Sequence, residues 1–230
     1  MSRIDNGLGG IRSFNPVVGC NIGCSYCYAK RFNNRYKIIP KFSVPTFMDY
    51  RLHQLYGRKG QVYLATTMSD LSGWKTEWRE QIFKAFKENP QHMYLLLTSR
   101  PGRIMFDDLK DKDMDHVWMG CTINTADDAE RIECMTWNVP ARHYWVCIEP
   151  LFEDVGKLNL SKIDWIVIGG ETGPKKVDKI VPEKEWIMNI VKQAKEEGIP
   201  VAMKEMLKDI VGKDDYLQEY PKSFMEILDP

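Results

Sequence analysis

Three cysteines crowd into a short stretch near the N-terminus: Cys20, Cys24 and Cys27, in the segment GCNIGCSYCYA. Thiolates at C-x3-C-x2-C spacing on one compact loop can each ligate an iron of the same iron–sulfur cluster. Three cysteines serve three irons of a [4Fe–4S] cubane. With no fourth cysteine nearby, one iron keeps an open coordination position. Gly19 and Gly23 let the loop backbone curl closely around such a cluster. Tyr26 places an aromatic ring where a flat cofactor would stack, and Tyr28 adds another. A structural zinc site would call for a second CxxC or an HxxxH pair. Cys121, Cys134, Cys147 and the four histidines offer neither spacing. A simple electron-transfer cluster fits the same triad and stays open as a reading.

The elements that must hold this loop show as a supersecondary rhythm. Apolar runs of strand length fall at residues 14–18, 61–65, 93–97, 117–121, 144–148 and 165–168. They do not alternate cleanly with polar residues, as expected of strands buried on both faces of a parallel sheet. Helical stretches lie between them. Thr76 is predicted to cap a helix running to about Asn89, with Ile82, Phe83 and Phe86 on one face. Pro101 suits the first turn of another helix. Residues 125–128, TADD, resemble a capping box ahead of Ala129, Ile132 and Met135. After Pro182, an apolar stripe (Trp186, Ile187, Ile190, Val191, Ala194) stops at Gly198. A short run at 200–203 offers a seventh strand.

Six strands alternating with helices imply right-handed βαβ units and an α/β fold. Periodicity leaves an open doubly wound sheet and a barrel as alternatives. In both, chemistry collects where the strands end. The residues there are Gly19-Cys20, Thr66 to Asp70, Thr98-Ser99-Arg100, Thr122 to Asn124, Glu149-Pro150 and Gly169 to Thr172. The boundaries expected are a barrel over residues 1–205, with the cluster loop at 19–28, and a C-terminal extension over 206–230 that packs on it.

Bulk properties narrow the class. Lys plus Arg and Asp plus Glu both number 32, so the formal net charge is zero. Overall charge therefore gives no indication of nucleic acid, and no apolar run long enough to span a bilayer indicates a membrane. The start, MSRIDNGLGG, lacks the apolar core of a signal peptide. A cytoplasmic protein is the expectation, and clustered cysteines in that compartment favour metal over disulfides. The segment from Lys30 to Lys41 mixes basic and aromatic residues. It reads equally as a phosphate-tracking surface and as a solvated lid.

GCNIGCSYCYA resembles the cluster loop of the radical S-adenosylmethionine (SAM) superfamily. Further segments, NPVVGCNIGCSYCYAKRF, TTMSDLS, LLLTSRPGRI, CIEPL and IVIGGETGP, are similar to small radical SAM proteins of phages and mobile elements, including the radical SAM mobile pair type. The likeness spans roughly residues 11–175. It implies a partial (β/α)6 TIM-like barrel, a [4Fe–4S] cluster on Cys20, Cys24 and Cys27, and SAM as a second cofactor chelating the open iron. It implies reductive cleavage of SAM to a 5′-deoxyadenosyl radical, hydrogen abstraction from a substrate, and oxygen sensitivity. It also implies a reduced ferredoxin or flavodoxin as electron donor, and a paired protein encoded nearby.

Within that resemblance, Ser69 and Asp70 are the candidates for the SAM amine, because Gly-Gly-Glu follows the sixth run here rather than the second. Arg100, Thr122 and Asn124 are candidates for the carboxylate or ribose, and Tyr26 for stacking. Gly169 and Gly170 would permit close backbone approach to adenine or substrate, or form an ordinary glycine turn. Glu149 and Glu171 would bind substrate or relay a proton, or else pair structurally with Arg100 or Lys204. Cys121 and Cys147 read as core thiols, with a radical role as the alternative.

Overall fold

In the computed structural model, which describes residues 9–172 and 179–228, the apolar runs resolve into nine strands among the described residues. The first eight residues, and Gly173 and Pro174 of the IVIGGETGP segment, lie outside that range. The strands are β1 (Arg12–Ser13), β2 (Val17–Val18), β3 (Thr46–Phe47), β4 (Val62–Leu64), β5 (Met93–Thr98), β6 (Val117–Thr122), β7 (His143–Ile148), β8 (Trp165–Ile168) and β9 (Val201–Met203). Seven of them form one sheet in the order β1-β4-β5-β6-β7-β8-β9, every pair parallel. The sheet curls into a half-barrel of the α/β class. The 200–203 run thus supplies a seventh strand.

The first run is not the single strand expected. Phe14 N–H still donates to the Leu64 carbonyl at 3.0 Å. Pro16 then has no N–H for the ladder, and Val17–Val18 leaves the sheet to pair antiparallel with β3. This departure swings the cysteine loop over the sheet's upper rim.

The helices are α1 (Tyr28–Tyr36), α2 (Thr76–Lys87), α3 (Arg131–Asn138), α4 (Lys184–Glu196), α5 (Lys208–Val211) and α6 (Lys222–Leu228). Helix α2 buries Ile82, Phe83 and Phe86 as its periodicity predicts, but Lys75 rather than Thr76 occupies its N-cap. Pro101 opens only a 3-10 turn, Pro101–Arg103. The chain beyond it buries Phe106, Leu109 and Met114 but forms only a second 3-10 turn, Lys112–Met114, before β6. Thr125 makes no cap hydrogen bond; the Asp128 carboxylate instead accepts from Asn124 N–H at 2.9 Å, and α3 begins at Arg131. Gly198, at φ +69°, follows the end of α4 as expected. No helix in the described residues is long and apolar enough to cross a membrane.

The two faces of the sheet bury different partners. One packs against α2, α3 and α4 through residues such as Tyr94, Leu96, Met119, Val146 and Ile166. The other, concave face carries Trp118, Trp145 and Trp165, with Phe224 of α6 among them. The Phe224 ring lies 4.8 Å from that of Trp118 and 5.3 Å from that of Trp165. Trp118 and Trp165 stand near the starts of β6 and β8, so α6 fills the barrel's interior from the end where strands begin. The far edge, β9, is covered in turn: Met203 N–H donates to the Leu217 carbonyl, and Glu219 N–H to that of Val201. Covering an edge in this way removes a template for unwanted strand pairing.

Candidate active site

Above the tryptophan layer the half-barrel stays open. A cavity of about 630 Å³ occupies its upper end, in the usual range for a small-molecule or cofactor site. Residues following β4, β5, β7, β8 and β9 line it, together with the cysteine loop and the last residue of β6. Polar strand ends in the sequence therefore mark one continuous wall, as parallel α/β topology dictates.

The loop that carries Cys20, Cys24 and Cys27 is clamped from several sides. Gly19 sits at φ +107°, and a Cβ there would meet the Phe42 carbonyl oxygen at 2.8 Å, so the turn requires glycine. Cys20 N–H donates to the Phe42 carbonyl at 2.7 Å, and Gly19 N–H to that of Met68 at 2.9 Å. Arg31 reaches back from α1 to the Tyr26 carbonyl and outward to that of Thr172, both at 3.1 Å. Arg100 donates to the Ile22 carbonyl at 3.4 Å. It is therefore placed to brace the loop rather than to line the cavity.

All three sulfurs are half-buried and line the cavity. Ile22 N–H points at Cys20 Sγ (3.5 Å), and Lys30 N–H at Cys27 Sγ (3.3 Å). The second contact makes Cys27 the N-cap of α1, where the helix dipole favours negative charge. Burial outweighs these donors. It pushes the Cys20 thiol up to about 11 and the Cys27 thiol above its usual range. Without a metal both remain protonated at neutral pH, and a metal that binds them must displace the protons. Among the described residues, no three His, Cys, Asp or Glu side chains converge as ligands of one metal ion would. A cubane makes a different demand, because it presents a separate iron to each thiolate.

The structure places the other sequence candidates as follows. Tyr26 lines the cavity, donates to Asn124 Oδ1 at 3.2 Å, and meets the Phe152 ring edge-on at 5.4 Å. Asn124 is buried behind it, its amide donating to the Pro150 carbonyl at 2.7 Å. Ser69, Thr122, Glu149 and Gly170 line the cavity; Gly169 and Glu171 do not. Gly169 instead makes room for a neighbouring ion pair, since a Cβ there would meet Lys204 Cγ at 2.8 Å and Glu149 Cδ at 2.9 Å. Those two side chains pair at 3.2 Å, both largely buried. Of the two remaining thiols, Cys147 faces the cavity, while Cys121, one register step away on β6, joins the helix-facing core. Burial raises both.

Asp70 lines the cavity too, but its carboxylate is occupied. Oδ1 accepts from Ser72 N–H (2.8 Å) and the Thr98 hydroxyl (2.7 Å), and Oδ2 from Ser99 N–H (2.8 Å) and its hydroxyl (3.2 Å). Four donors use the roughly four lone-pair sites of a carboxylate, so Asp70 fastens the loop after β4 to the end of β5. Asp70→Asn turns an acceptor into a donor facing these groups. It is expected to lower stability by about 1–3 kcal/mol, read as a fall in the urea midpoint.

Of the other lining residues, the sequence marks Thr66 only as a strand-end residue, Arg31 only as part of a basic segment and Lys204 only as a structural partner for a carboxylate, while Glu205 and Met206 were passed over. Thr66 is buried and its hydroxyl has no partner among the described residues. Lys204 directly follows β9 and Thr66 lies two residues past β4, so position beyond a strand end is the signal that assigns both to the cavity.

Among solved structures, a variant of spore photoproduct lyase matches with a TM-score of 0.55 at 10% identity, covering 84% of this chain and 76% of that one. A second variant gives 0.53 at 10% identity, over 80% and 74%. A third, with bound AdoMet and dinucleoside spore photoproduct, gives 0.50 at 10% identity, over 91% and 76%. These likenesses establish a shared fold. No curated protein matches the sequence. With residues 11–213 matched, the chain belongs to the family described as "Protein of unknown function (DUF5131)".

Proposed function

We propose that this protein is a radical SAM enzyme. Cys20, Cys24 and Cys27 hold a [4Fe–4S] cluster, and SAM lies in the adjoining cavity. The observation that carries this reading is the placement of three half-buried sulfurs, two of them facing backbone N–H donors, on one wall of a cavity built from strand ends. The buried Thr66 hydroxyl fits a polar ligand as well, since an unpaired buried hydroxyl is costly without one. The shared fold with an AdoMet-bound structure supports the cofactor, as does the resemblance of the loop to radical SAM proteins of phages and mobile elements.

Bound together, cluster and SAM would supply one-electron cleavage of the C5′–S bond, and the 5′-deoxyadenosyl radical formed would take hydrogen from the substrate. The chain's own residues position and shield. Ser69, whose hydroxyl accepts from Trp74 Nε1 at 2.9 Å, offers its own proton and remaining lone pair to the methionyl end. The Asp70 charge favours the ammonium there. Tyr26, held by Asn124 and Phe152, presents an aromatic surface. The Glu149–Lys204 pair, which lines the same cavity as the sulfurs, offers both signs of charge to substrate. A reduced ferredoxin or flavodoxin serves as donor in an oxygen-sensitive, cytoplasmic enzyme, and a protein encoded nearby is its partner.

The test is anaerobic reconstitution with iron and sulfide, followed by dithionite and SAM. The expected product is 5′-deoxyadenosine. A cluster that reduces normally without forming it would make the protein a non-catalytic iron–sulfur carrier or redox sensor.

A further inference from the structure

The neutral net charge hides a segregation. Between Asp5 and Asp49 the chain has no Asp or Glu, whereas Arg12, Lys30, Arg31, Arg35, Lys37 and Lys41 all fall there. The last five lie on α1 or the segment after it. None of these five forms an ion pair with a carboxylate among the described residues, and Lys30, Arg35, Lys37 and Lys41 are exposed. Clustered, unpaired cations repel one another, so such a surface is poorly explained by stability alone.

Placement adds direction. Tyr28, Arg31 and Arg35 follow one another at spacings of three and four and share one face of α1. That face starts in the cavity wall, where Tyr28 and Arg31 stand, and runs outward to Arg35. Aromatic surface accompanies it: the Phe32 and Tyr36 rings lie 4.5 Å apart, Tyr36 is 55% exposed, and the Arg35 guanidinium lies 5.3 Å over its ring. Cations alternating with exposed rings suit a single-stranded nucleic acid, with phosphates on the cations and bases on the rings. An acidic protein would use the cations, but it would need neither the rings nor the continuity with the cavity.

We infer that the substrate is a nucleotide within a single polynucleotide strand, whose phosphates follow α1 while one base enters the cavity. The inference rests on the enzymatic reading above and assigns its substrate class. A base in this cavity must be out of any stack, which a single strand permits at low cost.

The experiment measures binding of the reconstituted protein to a fluorescent mixed-sequence single strand by anisotropy, across 50 to 200 mM salt. For single strands the slope of log K against log salt is about −0.7 per phosphate neutralised. Removing three contacts in the Arg35→Ala/Lys37→Ala/Lys41→Ala variant is therefore expected to weaken binding at least about tenfold at low salt and to flatten the slope by about 2 units. Lys192→Ala/Lys195→Ala on α4, away from this surface, is expected to bind like the parent protein. Equal losses in both variants, or no binding by the parent protein, overturn the inference. So does displacement of the strand by polyglutamate as readily as by unlabelled strand, which would mark a surface for acidic proteins. SAM cleavage by the parent protein is scored separately. Cleavage without strand binding removes only the substrate class, while strand binding without cleavage keeps the docking surface and removes the enzymatic reading.

Discussion

Cys24→Ala is expected to abolish both cluster assembly and 5′-deoxyadenosine formation, leaving a folded protein with SAM cleavage at background. Cys24 is the most informative of the three. Cys27 also caps α1 through the Lys30 N–H, and Cys20 accepts from Ile22 N–H, so alanine at either position mixes ligand loss with local unfolding. A lost cap alone costs about 0.5–2 kcal/mol. Among the described residues no backbone N–H donates to the Cys24 sulfur, as Ile22 and Lys30 do to Cys20 and Cys27, so its variant reports ligation with the least structural cost. Cys134→Ala on α3 is the matched control and should retain cluster and cleavage, because that thiol lies outside the cavity. Iron and sulfide content, the visible absorbance of the cluster and the deoxyadenosine yield are the readouts. A Cys24→Ala protein that still cleaves SAM would refute the ligand assignment. A parent protein that binds zinc but no sulfide would refute the cluster itself.

The sequence carried the site unevenly, for physical reasons. Strand β8 is recovered without error and β5 to β7 to within one residue at either end, because strands buried on both faces read as unbroken apolar runs. The cysteine loop is legible since its ligands are local. What escaped depends on contacts between distant segments. Nothing local says that the Asp70 carboxylate will be consumed by Thr98 and Ser99, or that Arg100 will turn to the loop at Ile22. The departure of Val17–Val18 from the sheet was signalled by Pro16, but its partner lies almost thirty residues on, in β3. The connections after β5 and β7 keep buried apolar residues yet form no α-helix. Leu151, Val155, Leu158, Leu160 and Ile163 pack where a helix would lie, a substitution that periodicity alone cannot reveal. Facing, by contrast, was within reach: alternation along β6 and β7 separates Cys121 from Cys147 once the register is known.

The tryptophan layer of the concave face gives the second large expected effect. Gly120 of β6 and Trp145 of β7 are register partners. The indole lies across the glycine and donates from Nε1 to the Leu96 carbonyl at 3.0 Å. Glycine usually weakens a strand, so Gly120→Ala would ordinarily stabilise by about 0.5–1 kcal/mol. Here the added Cβ would fall 2.4 Å from Nε1 and 2.5 Å from Cε2 of Trp145. Those atoms belong to a rigid, fully buried ring rather than to the free end of a flexible chain. The ring must tilt, which overpacks its surroundings and strains or breaks its hydrogen bond. A loss of about 2–4 kcal/mol is expected. Trp145→Ala alone should cost about 3–5 kcal/mol through the hole it leaves. The double variant separates the mechanisms. With the indole gone, Gly120→Ala meets open space and recovers its intrinsic advantage, so the two losses should fall short of their sum by at least about 2 kcal/mol. Denaturant midpoints at constant slope measure each term. Additive losses would mean that Gly120 is required for something other than the indole.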